Sequence, residues 1–357
     1  MVRVPIRDDL RALEGYHSPQ VEVQIRLNTN ESPLPPPRQF IEDFSKSVAS
    51  ISWNRYPDRA ASQLRSGIAE LHDVEPGNVF VANGSNEVIQ TLLLTFAGPG
   101  RKVVTFEPTY QLHAHISRIS GAQVVEAERN LDFSLDEKIV SATLRHHQPD
   151  VTFLCSPNNP TGIVDSREIV DQALAERCGL VAVDEAYGQF SSWSALELIG
   201  EEVPLVVIRT FSKTWSMAAA RLGYLIGPQW LVAELDKVVL PYHLDSAKQI
   251  AGTLALQYRS AMEERVEYLI RERERVAVAL SRLELDVFPS GANFILFRPR
   301  HAGGRVFWQQ LVERGVLIRD CSGWPRLANC LRVTIGTSDE NDAFLQAVSQ
   351  ILSEVKS

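Results

Sequence analysis

Strands of a buried parallel sheet are covered on both faces, so they read as short, uninterrupted apolar runs rather than as alternating patterns. Four such runs punctuate the middle of this chain: KVVTF at 102–106, VTFLC at 151–155, LVAVD at 180–184 and LVVIRT at 205–210. Between them lie amphipathic stretches, such as 167–177, that can cross over the sheet as helices. This alternation predicts an α/β architecture built on a mostly parallel central sheet flanked by helices. At 357 residues the chain exceeds the size at which one core stops growing, so a second, smaller unit is expected.

The composition changes where that second unit should begin. From 246 to 283 the pattern is long, charged and helical, with no Gly or Pro after Gly252, and predicts one helix leading out of the first domain. Beyond it, FPSGANFILFR at 288–298, VLIRD at 316–320 and LRVTIG at 331–336 predict strands of a compact α+β unit with two flanking helices. The expected division is therefore 30–245 for the large domain, with 246–357 and the 1–29 segment forming the small one. The opening segment is too short to fold alone and is expected to lie across the smaller unit.

Bulk properties exclude several functions. The chain is 45% hydrophobic and 22% charged, with a net charge of -8 spread along its length, which argues against a nucleic-acid or anionic-membrane partner. Four cysteines without CxxC spacing suggest free thiols in a reducing compartment rather than disulfides or zinc. The start, MVRVPIRDDL, carries charges where a signal peptide needs an apolar stretch, and no segment approaches the ~18 apolar residues of a membrane span, so a cytoplasmic protein is expected. His113 and His115 lie close together but lack companions at metal spacing, so no metal is expected. No Ser-His-Asp or P-loop signature is present.

The residues that carry chemistry follow the apolar runs, as ligand-binding residues of open α/β sheets do. Lys213, in TFSKTWSMAAARLG, stands among Phe211, Trp215 and Met217, an apolar setting that lowers an ammonium pKa and suits a lysine that joins an aldehyde as an imine. Ser212 and Arg221 flank it as possible phosphate holders; ordinary surface charge is the plain alternative. SPNNPTG at 156–162 offers the amides of Asn158 and Asn159, or simply an Asn-Pro turn. In VDEAYGQF, Asp184 can keep a pyridine nitrogen protonated and Tyr187 can donate to a ring oxygen, although a helix cap is the competing role. NGSNE at 83–87 opens a helix whose free amides can bind phosphate. Tyr110 can stack on a flat ring or belong to the core. Arg332 and Arg319, each in an apolar strand, call for an anion, either a ligand or an internal acid.

Taken together, LNTNESP at 27–33, RYPD at 55–58, NGSNE, SPNNPTG, VDEAY, SKTW with Arg221, PSGANF and LRVTIGT resemble the fold-type I pyridoxal-phosphate-dependent aminotransferases, and among them the histidinol-phosphate aminotransferases. The likeness runs in order from about residue 10 to residue 348. It implies pyridoxal 5'-phosphate as cofactor, with Lys213 as its imine partner and proton carrier. Asp184 would pair with the ring nitrogen, Asn159 and Tyr187 with the ring oxygen, and Tyr110 would stack on the ring. Ser212, Arg221 and the amides of Gly84, Ser85 and Asn86 would hold the phosphate. Tyr56 would reach a neighbouring subunit's cofactor, which implies a homodimer with composite sites. Arg332, Arg319, Tyr16 and Asn30 would bind substrate, here histidinol phosphate and glutamate or 2-oxoglutarate. An aromatic aminotransferase and a phosphothreonine decarboxylase share the machinery and are the alternatives, with a catalytically dead regulator as the non-enzymatic one. Gly15 stands where many relatives have Pro, and Asn86 where many have Asp.

Overall fold

The computed structural model describes residues 4–11, 13, 15 and 21–355. Its strands, in chain order, are β1 (Ile25–Leu27), β2 (Val79–Ala82), β3 (Lys102–Glu107), β4 (Gln123–Glu128), β5 (Val151–Cys155), β6 (Leu180–Asp184), β7 (Leu205–Thr210), β8 (Gly223–Ile226), β9 (Leu285–Val287), β10 (Phe294–Pro299), β11 (Val316–Asp320) and β12 (Leu331–Thr334). The helices are α1 (Arg38–Ala49), α2 (Ser62–His72), α3 (Ser85–Phe96), α4 (Gln111–Ile119), α5 (Glu137–His147), α6 (Arg167–Ala175), α7 (Gln229–Val238), α8 (Ser246–Gln257), α9 (Arg259–Ser281), α10 (Gly304–Glu313) and α11 (Ser338–Val355).

Seven strands form the larger sheet in the order β2-β8-β7-β6-β5-β3-β4, in which β8 alone runs against its neighbours. The apolar runs are its central strands, and every residue of β5, β6 and β7 is buried. Successive side chains point to opposite faces. Phe153, Ala182 and Ile208 accordingly pack with Val88 and Leu92 of α3 and Leu231 of α7, while Leu154, Val183 and Val207 pack with Val140 of α5 and Ile169 of α6. The smaller sheet has the order β1-β11-β12-β10-β9, antiparallel except that β1 lies parallel to β11. One apolar cluster joins the two, running from Val79 and Tyr224 through Phe211 and Met262 to Phe297, Val316 and Phe344.

Two expectations are corrected. The helix predicted over 246–283 breaks at Tyr258, which leaves the helical region at φ -103° and ψ 31°. Its ring meets Phe40 of α1 edge-on at 5.9 Å and its hydroxyl donates to Asp43 Oδ2 at 2.7 Å, so tertiary anchoring overrides the unbroken helical pattern. α8 stays with the larger unit, since a Cβ on Gly252 would strike Leu64 and Leu222, and the passage to the smaller sheet runs along α9. The opening segment also divides its allegiance. β1 does extend the smaller sheet, but Arg7 Nη2 donates to Ile119 O at the end of α4 at 3.4 Å, on the larger unit.

Candidate active site

β3, β5, β6 and β7 lie side by side and parallel, so the segments leaving their carboxyl ends open on one crevice. There they line a cavity of about 400 Å³ with Tyr110, Asn159, Asp184, Tyr187, Ser212 and Lys213. The smaller sheet closes it from the other side with Arg319, Arg332 and Trp324, and the segment after β1 adds Asn28, Thr29, Asn30 and Glu31. No group of three or more His, Cys, Asp or Glu that could hold a metal occurs among the described residues.

Lys213 follows β7 in a turn tied by Ser212 N donating to Thr210 Oγ1 at 3.1 Å. Its Nζ donates to Thr29 O at 3.0 Å and stands 5.9 Å from the centroid of the Tyr187 ring. Burial lowers its pKa to about 8, helped by the positive charges of Arg332 and Arg221 and opposed by Glu31. Burial likewise lifts the Tyr187 phenol to about 12, against the pull of Arg332 and of Asn30. Tyr187 therefore stays a hydrogen-bond donor at neutral pH.

Asp184 ends β6 as a buried carboxylate. Its Oδ1 accepts from Ala186 N at 3.0 Å and its Oδ2 lies 2.8 Å from His113 Nε2. An ionised carboxylate only accepts, so the imidazole proton belongs on Nε2. His113 is fully buried on α4 and stacked on Phe153 at 4.5 Å. Sequence reading passed over it, because it weighed the histidine only as a metal ligand. A sharper signal existed: His113 sits three residues after Tyr110, one helical turn on, in the helix that follows β3, two strands from β6 in the sheet.

The cavity also reaches the start of α3, where Ser85 and Asn86 line it. Gly84 precedes α3 with φ 82° and ψ 165°, a backbone state that side chains with a Cβ strongly resist. A Cβ there would also lie 2.8 Å from Arg221 Nη2. Gly223 of β8 is equally constrained, since a Cβ would come within 2.3 Å of Ser85 N. Arg221 Nη1 donates to Ser212 Oγ at 3.3 Å, and Tyr110 OH donates to Asn86 Oδ1 at 3.1 Å. Gly84 N is itself engaged, donating to Ala82 O at 2.8 Å, whereas among the described residues Ser85 N and Asn86 N have no acceptor; the first turn of α3 thus offers two amides beside a guanidinium and a hydroxyl, an arrangement suited to phosphate.

On the smaller sheet, Arg319 and Arg332 occupy directly paired positions of β11 and β12. Arg332 Nη2 donates to Asn28 O at 3.1 Å, Nη1 bonds Asn159 Oδ1, and its guanidinium lies 5.1 Å from the Phe294 ring. No carboxylate pairs with Arg332 among the described residues, and its buried Nε has no partner there, so the internal ion pair considered from sequence is not formed. Both side-chain polar atoms of Asn28, which is 2% exposed, are also without partners among the described residues. Such buried polar atoms facing a cavity mark groups that a ligand can satisfy.

Not every expected residue faces this space. Asn158 turns into the protein, accepting from Thr109 Oγ1 at 2.7 Å and donating to Pro108 O at 2.9 Å. Asn30 lines the cavity with its amide already engaged: Nδ2 donates to Tyr187 OH at 2.8 Å and Oδ1 accepts from Thr334 Oγ1 at 3.0 Å. Tyr56 is absent from the cavity; it is 80% exposed and stacked on Tyr242 at 4.5 Å. Tyr16 lies outside the described residues.

Across residues 22–348 the sequence matches the family described as aminotransferase class I and II. This chain belongs to that family. It is 44% identical over 358 residues to the histidinol-phosphate aminotransferase of Mycobacterium avium strain 104, covering 98% of this chain and 89% of the relative. As a fold it is similar to the histidinol-phosphate aminotransferase of Sinorhizobium meliloti solved in complex with pyridoxal-5'-phosphate, at 21% identity and TM-score 0.86, covering 94% and 92% of the two chains. The L-threonine-O-3-phosphate decarboxylase of Porphyromonas gingivalis shares the fold at 21% identity and TM-score 0.80, covering 92% of this chain and all of that one (100%). The aminotransferase fold therefore serves more than one reaction, and the reading of activity has to come from the site.

The site fits the family's cofactor type. An amine of lowered pKa, a buried carboxylate braced by a histidine, and a phosphate cradle whose glycine leaves no room for a Cβ stand around a single cavity.

Proposed function

We propose that this chain is a pyridoxal-phosphate-dependent aminotransferase that exchanges the amino group of histidinol phosphate with 2-oxoglutarate, giving imidazole-acetol phosphate and glutamate. The observation that carries the substrate reading is the pair of guanidiniums, Arg319 and Arg332, on adjacent strands of the smaller sheet, lining the same cavity as Arg221 of the larger unit. Two sets of cations on two different elements suit a phosphorylated cofactor at one and a substrate that ends in phosphate or carboxylate at the other.

The cofactor, when bound, supplies an electron sink for the bond broken at the substrate's α-carbon. Lys213 Nζ takes and returns the proton at that carbon; its pKa of about 8 leaves a usable share of free amine near neutral pH. Asp184 presents its carboxylate to the ring nitrogen, and His113 keeps Asp184 aimed there by donating to Oδ2. Tyr187 and Asn159 donate to the ring oxygen, with Asn30 fixing the Tyr187 hydroxyl. Tyr110 covers the ring face. The amides of Ser85 and Asn86, with Ser212 and Arg221, hold the cofactor's phosphate, and Gly84 leaves room for it. Arg332 and Arg319 bind the substrate's anion, with Asn30 lining the same cavity; the part expected of Tyr16 falls on a residue outside the described ones.

Homodimerisation belongs to the same proposal. Tyr56, Trp53 and Leu240 are 80%, 72% and 75% exposed, an apolar surface on which a second copy would bring Tyr56 to its neighbour's phosphate. Four unpaired buried thiols support a cytoplasmic setting, and no helix among the described residues is long and apolar enough to cross a membrane. The test is to supply the cofactor-loaded protein with histidinol phosphate and 2-oxoglutarate and to measure glutamate. Formation of glutamate is the expected result. Turnover of phenylalanine in place of histidinol phosphate, or release of carbon dioxide from phosphothreonine, would replace this reading with the aromatic or the decarboxylase one.

A further inference from the structure

The loop at 321–330 between β11 and β12 contributes one side chain, Trp324, to the cavity lining. The loop is built to hold that side chain still. Trp324 N donates to Cys321 O at 3.0 Å, Leu327 N to Trp324 O at 3.1 Å, and Cys330 N to Leu327 O at 2.8 Å. Beneath it, Cys321, Leu327 and Cys330 pack with Phe133 and Leu296, and Trp324 rests partly buried on this cluster. Arg326, with φ 62°, ties the loop to the larger unit: Nη2 donates to Asn130 O at 3.1 Å, and Nη1 reaches Arg129 O and, at 3.4 Å, Glu107 O. The indole presented by this clamp lies 5.4 Å from the guanidinium of Arg319.

We propose that Trp324 is a positioning residue that fixes Arg319 beside Arg332 and thereby favours a phosphate over a carboxylate in the substrate pocket. The inference rests on the functional reading above. Arg319 and Arg332 are paired across β11 and β12 and both line the cavity, so an anion bound there can meet both guanidiniums. An aromatic face stabilises a guanidinium and restricts its rotamers, so the stack holds Arg319 in the orientation that an anion shared with Arg332 requires. A phosphate monoester near neutral pH carries almost two charges and three acceptor oxygens, enough for both guanidiniums. A carboxylate has two oxygens and is satisfied by the fork of Arg332 alone. Removing the stack therefore harms the phosphate substrate more than glutamate.

The experiment compares steady-state constants of the cofactor-loaded wild type with those of Trp324→Ala, Trp324→Leu, Trp324→Phe and Arg326→Ala, using histidinol phosphate and glutamate as donors. Trp324→Ala is expected to raise KM for histidinol phosphate roughly five- to twentyfold, the range of a partly desolvated cation–π contact, with a distinctly smaller rise for glutamate. Trp324→Phe restores most of the affinity because it keeps an aromatic face, whereas Trp324→Leu does not. Arg326→Ala moves the same ratio in the same direction with the indole intact, and it carries the comparison if Trp324→Ala fails to fold. Equal rises for both donors, a loss confined to kcat, or Leu rescuing as well as Phe would overturn the proposal. If the wild type fails to use histidinol phosphate, the functional reading falls and this inference with it; if the wild type uses it and the variants show no split, this inference alone falls.

Discussion

Gly84→Ala separates backbone strain from cofactor binding, because the structure supplies its own control. Gly84 and Gly100 share φ 82°, but an added Cβ at Gly84 would lie 2.8 Å from Arg221 Nη2, whereas at Gly100 nothing stands within 4 Å. Each substitution carries a backbone penalty of about 1–3 kcal/mol. For a chain of 357 residues that corresponds to roughly 1–4 °C in melting temperature. Only Gly84→Ala also displaces a guanidinium. The tip of an arginine moves easily, so the clash adds little to instability, but the movement takes Arg221 away from Ser212 and the first turn of α3. Losing one charge-assisted hydrogen bond costs about 1.5–3 kcal/mol, or roughly 10- to 150-fold in affinity. Titration of each apoprotein with pyridoxal 5'-phosphate, followed by absorbance, should show that loss for Gly84→Ala and near wild-type affinity for Gly100→Ala. Equal affinities for the two variants would refute the assignment of Gly84 and Arg221 to the phosphate.

Four further outcomes are expected. Covalent capture of the aldehyde cofactor by the apoprotein should speed up as pH rises through about 8, the lowered pKa of Lys213, and then level off; a rate unchanged between pH 7 and 9 would contradict it. For the same reason this lysine's share of folding stability rises with pH between about 8 and its ordinary 10.5, where the unfolded chain binds a proton that the folded one does not. Arg332→Lys should weaken histidinol phosphate and glutamate together by about 1.5–3 kcal/mol, since a point charge replaces a planar fork; weakening of one alone would show separate anion sites. His113→Phe keeps the stack on Phe153 but removes the donor to Asp184, and should lower kcat about tenfold or more, with partial rescue by His113→Gln; wild-type kcat would assign the contact to packing only.

The larger sheet was legible because strands buried on both faces cannot hide their composition, and VTFLC, LVAVD and LVVIRT became adjacent strands. Their order also explains why Asn159, Asp184 and Lys213 meet, since each follows the end of one of three neighbouring strands. Contacts between distant segments were not legible. The spacing of His113 from Tyr110 points toward the pocket, but it does not name a bonding partner 71 positions away. The break at Tyr258 depends on Phe40 and Asp43, more than 200 residues earlier (|i−j| = 215 for Asp43), in a stretch whose own propensity is helical. Asn158 and Asn159, alike on paper, diverge because one completes the loop's internal bonding and the other meets Arg332.

The pairing of Ile25 with Val316 has a consequence for how the protein is made. Residues 28–31, which wall the cavity and hold Lys213 through Thr29 O, hang from a strand whose partner in the sheet, among the described residues, is synthesised about 290 residues later. At about 5–20 residues per second on the ribosome, that wait is roughly 15–60 s. During it the larger unit can assemble its phosphate cradle and lysine while one wall remains open. Binding of the small cofactor can therefore precede completion of the substrate pocket, and a segment made before the larger sheet is seated after it.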